Sequence, residues 1–145
     1  MKSKLHSELQ EKARNYLLDK SYWITDVEVN CGYYGIYDVW GIKSEVGNYK
    51  TMGIEVKVSR EDFKKNRFKE AIIERRSDVV ANRNYILCPI GLIQKEEVHK
   101  EWGLLWFNGK RIKNVKKAEF IEMTDKKKLS ILVRFLCSKL NKINP

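Results

Sequence analysis

The sequence predicts an α/β domain in which helices flank a mixed central β-sheet, an antiparallel meander joined by a parallel crossover strand. Three observations carry this expectation. An amphipathic helical stretch opens the chain over about residues 3–20. Three stretches rich in β-branched and aromatic residues follow, separated by short polar segments. A helical stretch and the short apolar run Asn84–Pro89 then come in the order of a βαβ crossover. At 145 residues, 1–145 reads as a single domain with one core.

In the first helix Leu5, Leu9, Ala13, Tyr16 and Leu17 recur at helical spacing, with Ser3 or Ser7 as alternative caps. Glu8 lies on the flank of this stripe. It is either a solvated carboxylate paired with Lys12 at i+4 or an acid leaning over a neighbouring sheet edge. Tyr22–Val29 and Gly35–Ile42 read as strands around a turn at Asn30-Cys31-Gly32, and Gly47-Asn48 turns the chain into a third strand ending at Ser59. From Arg60 to about Arg83 the pattern is helical, with Ser59 as N-cap and Glu61 and Asp62 favouring the first turn. Phe63, Phe68, Ala71 and Ile72 supply its packing. Pro89 ends the next strand, a short polar helix covers Gln94–Lys100, and Trp102–Phe107 is a further strand turning at Asn108-Gly109. Trp102 and Trp106 share a face, in the core or as a base-stacking surface. Residues 111–120 read as a basic edge strand plus loop. Asp125–Asn141 closes the chain as a helix with Leu129, Leu132, Val133, Leu136 and Leu140 facing inward.

Twenty-nine Lys and Arg against 19 Asp and Glu give a net charge of +10. Such a balance favours a polyanionic partner, nucleic acid first and an anionic membrane surface second. Cys31, Cys88 and Cys137 are odd in number and widely spaced, which argues against a disulfide framework and structural zinc. His6 and His99 are too far apart for a histidine metal site. No apolar run is long enough to span a membrane, and the first residues lack the apolar stretch of a secretory signal. The expectation is a reduced, cytoplasmic protein with no membrane partner.

The chemistry concentrates in Gly53-Ile54-Glu55-Val56-Lys57-Val58-Ser59. Strand alternation puts Glu55, Lys57 and Ser59 on one face and Ile54, Val56 and Val58 on the other. Asp38 is the one charge in the preceding strand, and a hairpin can bring it beside Glu55. Charges in apolar strands are costly unless matched or used. Two adjacent carboxylates offer hard oxygen ligands to Mg²⁺, and the Val56 backbone carbonyl offers a third. Lys57 would face the attacking water or the scissile phosphate, with Ser59 donating nearby. Arg60, Lys64, Lys65 and Arg67, on the most basic segment, are placed to hold phosphates. The plainer account pairs Glu55 with Lys57 structurally and satisfies Asp38 from backbone donors.

In this order and strand context, Asp38, Glu55 and Lys57 resemble the PD-(D/E)XK nuclease superfamily over the first two-thirds of the chain. The resemblance implies a restriction-endonuclease-like core, metal binding by Asp38 and Glu55, and assistance to the nucleophile by Lys57. It adds Glu8 as a further candidate metal ligand. Ile54-Glu55-Val56-Lys57-Val58-Ser59-Arg60-Glu61-Asp62-Phe63, Tyr85–Pro89 and Trp102-Gly103-Leu104-Leu105 are similar to segments of the MmcB-like DNA-repair branch. Tyr37 stands where the nominal motif has Pro, and Asn66 where that branch often has Asp. The implied activity is a Mg²⁺-dependent deoxyribonuclease, with Mn²⁺ substituting. It would hydrolyse phosphodiesters of duplex or branched DNA in repair, recombination or mobile-element processing. Related enzymes pair subunits to cut both strands, so a homodimer fits this reading. The alternatives are a nucleic-acid-binding module on a nuclease-like fold with weak or lost catalysis, and a basic interaction subunit without a site.

Overall fold

The computed structural model describes residues 3–31, 35–65 and 79–143. Its elements run α1 (Lys4–Asp19), β1 (Ile24–Asn30), β2 (Ile36–Glu45), β3 (Asn48–Val56), α2 (Arg60–Lys64), β4 (Arg83–Pro89), a 3₁₀ turn (Lys95–Glu97), β5 (Gly103–Phe107), β6 (Ile112–Lys116) and α3 (Asp125–Ile143). The six strands form one sheet in sequence order. β1, β2 and β3 are antiparallel neighbours, β3, β4 and β5 run parallel, and β6 returns antiparallel. The sequence-predicted fold class is therefore observed.

α1 covers one face of the sheet. Ser3 caps it, its Oγ accepting from the His6 amide at 3.1 Å. Leu9, Ala13 and Leu17 are fully buried against Val39, Ile54, Val56 and Leu87. The opposite face packs Trp40, Ile86, Cys88 and Leu104 beneath Phe63, Val79–Ala81, Ile93 and Trp102, with Ile131 of α3. Trp102 is buried, and Trp106 Nε1 donates to the Ile93 carbonyl at 2.9 Å, so the tryptophan pair belongs to the core.

Two aromatic rings lie where a neighbouring residue has no side chain. The Tyr37 ring occupies the space over Gly53, and a Cβ there would come within 2.5 Å of it. The Tyr85 ring covers its cross-strand partner Gly103 in the same way, on the α1 face. Asn82 supplies a polar lock. Its Oδ1 accepts from the Thr51 amide at 2.9 Å and its Nδ2 donates to the Ile121 carbonyl at 2.8 Å. This ties the starts of β3 and β4 to the segment leading into α3.

Two expectations change. The helix predicted from Arg60 to Arg83 is observed over Arg60–Lys64. Residues 66–78, which include Asn66, Arg67, Phe68, Ala71 and Ile72, lie outside the described residues, and Val79–Asn82 are not helical. α3 docks through a different face from the one predicted. Ile131 is buried and Leu132 and Phe135 are partly so, whereas Leu129, Val133, Leu136 and Leu140 are exposed. The reason is local: Lys128 is buried on the docking face, with Nζ donating to the Tyr49 carbonyl at 2.7 Å and pairing with Asp125. A lysine stem can line an apolar seam when its ammonium finds a carbonyl, so apolar periodicity alone selects the wrong stripe.

Cys31 and Cys88 are buried and Cys137 is exposed. Burial pushes the Cys88 thiol up to about 11, and the thiolate is the reactive form. Titration of native protein with a thiol reagent at pH 8 is expected to modify Cys137 rapidly and the other two only on unfolding. Rapid native reaction of Cys88 in peptide mapping would contradict this packing.

Candidate active site

The β2–β3 register pairs Val39 with Ile54, and past that point the strands part. Continued by one residue, the same register sets Asp38 opposite Glu55. The Asp38 carboxylate fills the gap: Oδ2 accepts from the Val56 amide at 2.8 Å, while the Asp38 amide approaches Glu55 Oε1 at 3.4 Å. A side chain has thus taken over a ladder bond that the β2 backbone would otherwise make. Across the other edge, Glu28 of β1 faces Asp38 with φ +53°, an irregularity in the edge strand at the level of the carboxylates.

Tyr37 fixes this strand end. Its ring is buried and its hydroxyl donates to Asn84 Oδ1 at 3.0 Å. Burial, then the neighbouring Glu55 and Cys31, holds the phenol well above its ordinary value, so it stays protonated as a donor. Glu55 and Lys57 are both buried, at 5% and 8% exposure. Lys57 Nζ stands 3.7 Å from Asp62 Oδ1. Ser59 caps α2 by accepting from the Asp62 amide at 3.1 Å, and this cap presents Asp62 to Lys57.

The structure brings Asp38 and Glu55 together and places Lys57 on the same strand segment. At Val56 the observed contact is made by the amide, to Asp38, while the carbonyl was the predicted ligand. Glu8 is exposed on α1. The helix side that reaches Asp38 belongs to Gln10, with Nε2 donating to Oδ1 at 3.1 Å, and to His6, with Nε2 at 3.5 Å from the same oxygen. At 3.6 residues per turn, Glu8 lies about half a turn round from both. It therefore lies on a different side of the helix from the residues that reach Asp38. His6 and Gln10 escaped the sequence reading, although they stand at i, i+4 beside the Leu9–Ala13 stripe, where a polar residue must be buried. Asp62 was read only as a helix-dipole residue.

The basic residues divide. Lys64 and Lys65 are exposed, and Lys65 lines a cleft of about 510 Å³ with His6, Ser59 and Asp62. Arg67 lies outside the described residues. Arg60 is committed to a forked pair with Glu97, with Nη1 at 3.2 Å from Oε2 and Nη2 hydrogen-bonded to Oε1. It also donates to the Leu92 carbonyl. Arg60 holds the Glu97 carboxyl down to about 2. Since that lies below its unfolded value, the stabilisation is complete above about pH 4.5 and is lost as pH falls toward 2. The melting-temperature gap between wild type and Arg60→Ala is therefore expected to close over that window. A gap independent of pH would show that the pair contributes nothing.

The donor set suits a hard dication. Asp38 and Glu55 offer carboxylate oxygens where β2 and β3 part, and each oxygen can accept more than one partner. Among the described residues no group of three or more His, Cys, Asp and Glu side chains is placed to hold a metal ion. Two carboxylates, with water and phosphate completing the shell, match Mg²⁺ in phosphate chemistry.

Fold and site together define an α/β domain with a six-stranded mixed sheet and a carboxylate pair where two strands separate. No protein-family model matches the chain, and no curated protein matches it. The fold is similar to that of SPO1766, a protein of unknown function from Silicibacter pomeroyi. The TM-score is 0.77 at 16% sequence identity, covering 99% of this chain and 91% of that one. A likeness at this identity establishes the fold alone. Among the described residues no helix is long and apolar enough to cross a membrane.

Proposed function

We propose that this protein is a Mg²⁺-dependent DNA endonuclease acting in the cytoplasm, with Mn²⁺ able to substitute. The observation that carries the reading is the carboxylate pair at the β2–β3 divergence, Asp38 beside Glu55, with Lys57 two residues further on. The bound metal would supply charge neutralisation at the phosphate and an activated water. Gln10 and the Val56 amide orient the Asp38 carboxylate, so that its oxygens are set before substrate arrives. Lys57, two residues beyond Glu55, would place a positive charge at the developing phosphorane. Lys64 and Lys65 extend positive charge along the duplex or branched DNA that would lie across the cleft.

One observation favours a second reading, a nucleic-acid-binding module without turnover: Lys57 is already paired with Asp62. Plasmid and branched-DNA cleavage in Mg²⁺ or Mn²⁺, beside a Glu55→Gln control, separates the two. Metal-dependent nicking that the control lacks supports the nuclease. Salt-sensitive binding with no nicking on any substrate selects the binding module.

A further inference from the structure

We infer that a second cleft, at the end of β3 away from the carboxylates, is a binding site for a phosphate monoester or diphosphate group. It encloses about 220 Å³ and takes cations from five parts of the fold. These are Lys20 after α1, Lys43 of β2, Lys50 of β3, Arg83 of β4 and Lys117 after β6. Strand alternation sets Lys43, Lys50 and Arg83 on the α1 face, with Met52 and Tyr85. Lys43 and Lys50 stand directly opposite in the β2–β3 register, an arrangement that costs stability unless an anion lies between them.

Glu45 supplies part of that anion. It is the one carboxylate among the lining residues, 3.2 Å from Lys50 Nζ and 3.6 Å from Lys43 Nζ. Lys43 also reaches the Lys20 carbonyl at 3.4 Å, which offsets the negative end of α1. Asp19 lines a different cleft. Lys20, Arg83 and Lys117 have no carboxylate partner among the described residues, so the lining keeps a surplus of four positive charges.

Neutral donors complete the cleft. Tyr22 is 5% exposed, yet its hydroxyl has no hydrogen-bond partner among the described residues. Burial pushes this phenol up to about 12, so it stays a donor. Tyr85, 3% exposed, accepts from Asn114 Nδ2 at 3.4 Å and keeps its own proton to donate. Arg83 gives Nη1 to the Ala118 carbonyl and retains further N–H groups. The Lys43 ammonium covers the Tyr22 ring, 4.9 Å from its centre. The buried tyrosines thus offer a ligand their hydroxyl edges and no face on which a base could stack.

Volume and charge together select the ligand. The volume lies below the roughly 300–1,000 Å³ of pockets for drug-sized molecules, and suits a single phosphate or diphosphate group. A backbone phosphodiester or a carboxylate carries one negative charge. A phosphate monoester carries about 1.5–2, and its three terminal oxygens can accept from guanidinium, ammonium and phenol at once. The source of the group is either a free phosphorylated compound or the phosphorylated end of a nucleic-acid strand. Lys50 and Glu55 lie roughly 17 Å apart along β3. None of Asp38, Glu55 or Lys57 lines the cleft, so this site stands apart from the nuclease reading.

The test is calorimetric titration of the full chain with inorganic diphosphate in metal-free, phosphate-free buffer. Wild type is expected to bind one diphosphate per chain. Lys50→Ala/Lys117→Ala should weaken binding roughly tenfold or more, and Tyr22→Phe, which removes one hydroxyl, by about three- to tenfold. Tyr22→Phe keeps the ring, so it serves if the double variant disturbs folding. Lys126→Ala removes an exposed cation of α3 outside the cleft and should bind as wild type does. No saturable binding by wild type, undiminished binding by the cleft variants, or an equal loss in Lys126→Ala would overturn the site. Competition with a 5′-phosphorylated oligonucleotide and its 5′-hydroxyl counterpart then names the source. Displacement of diphosphate by the phosphorylated strand alone supports a strand end, and displacement by neither supports a free phosphorylated compound. Equal displacement by both would reveal a groove for the nucleic-acid backbone and overturn the phosphate-group site.

Discussion

If the proposed nuclease reading holds, Glu55→Gln and Asp38→Asn are each expected to lower metal-dependent cleavage by about a thousandfold or more, with the fold retained. Each change removes one of two anionic ligands while keeping the side chain's shape. A loss of about 4 kcal/mol in transition-state stabilisation corresponds to that factor. Asn is the informative replacement at position 38, because Asp38 also holds the Val56 amide at 2.8 Å. Asp38→Ala would orphan a buried donor and confuse instability with inactivity. The side-chain carbonyl of Asn can still accept that bond. Single-turnover assays, with melting curves alongside, check the result, and full cleavage by either variant sinks the nuclease assignment. Lys57→Ala is expected to reduce turnover more than DNA affinity, the split that separates a group acting at the reacting phosphate from one that merely attracts the backbone.

The second large effect is on stability. Asn82→Ala costs about 4 kcal/mol, because it leaves two buried groups unpaired, the Thr51 amide and the Ile121 carbonyl. Each orphaned group costs about 1–3 kcal/mol. The backbone bonds survive: the Asn82 amide still reaches Thr51 Oγ1 at 2.8 Å, and the Ile121 amide still reaches the residue 82 carbonyl at 2.8 Å. Urea unfolding measures the loss, and Asn82→Asp, which sets a buried carboxylate oxygen against the Ile121 carbonyl, should cost at least as much as Ala. A change below about 1 kcal/mol for Asn82→Ala would mean that water or a shifted neighbour satisfies both groups.

The sheet was legible because it rests on period-two alternation, although that alternation breaks at Asp38, whose neighbours Tyr37 and Val39 lie in opposite cores. Asp38 in one strand and Glu55 in the next needed only a hairpin to meet, and the β2–β3 register supplies it. The surroundings were less legible because each depends on a partner distant in sequence. Gln10 is a polar residue on a buried helix face, and only the position of Asp38 explains it. Glu8 looked the better candidate because carboxylates are the usual ligands, yet its place on the helix turns it to solvent. Arg60 read as a phosphate contact within a basic run; Glu97, 37 residues away, claims it. α3 carries apolar residues on two sides, and what decides between them is the Tyr49 carbonyl that Lys128 finds on one. Periodicity contains no record of that carbonyl.

The two rings seated over glycines also bear on how this fold can drift over generations. Tyr37 with Gly53, and Tyr85 with Gly103, are each a single steric object divided between two codons. A side chain gained at either glycine meets a ring at once, and at position 103 it also meets the Lys116 carbonyl oxygen at 2.6 Å, which cannot withdraw without disturbing the β5–β6 pairing. Homologous sequences should therefore show small residues at 53 and 103 wherever the ring is kept, and larger ones only in lineages that have already shed it. The order of events is fixed as well: the ring goes first. Because Tyr37 adjoins Asp38, a lineage that loses its glycine at 53 is also one in which the carboxylate's own strand has been rebuilt.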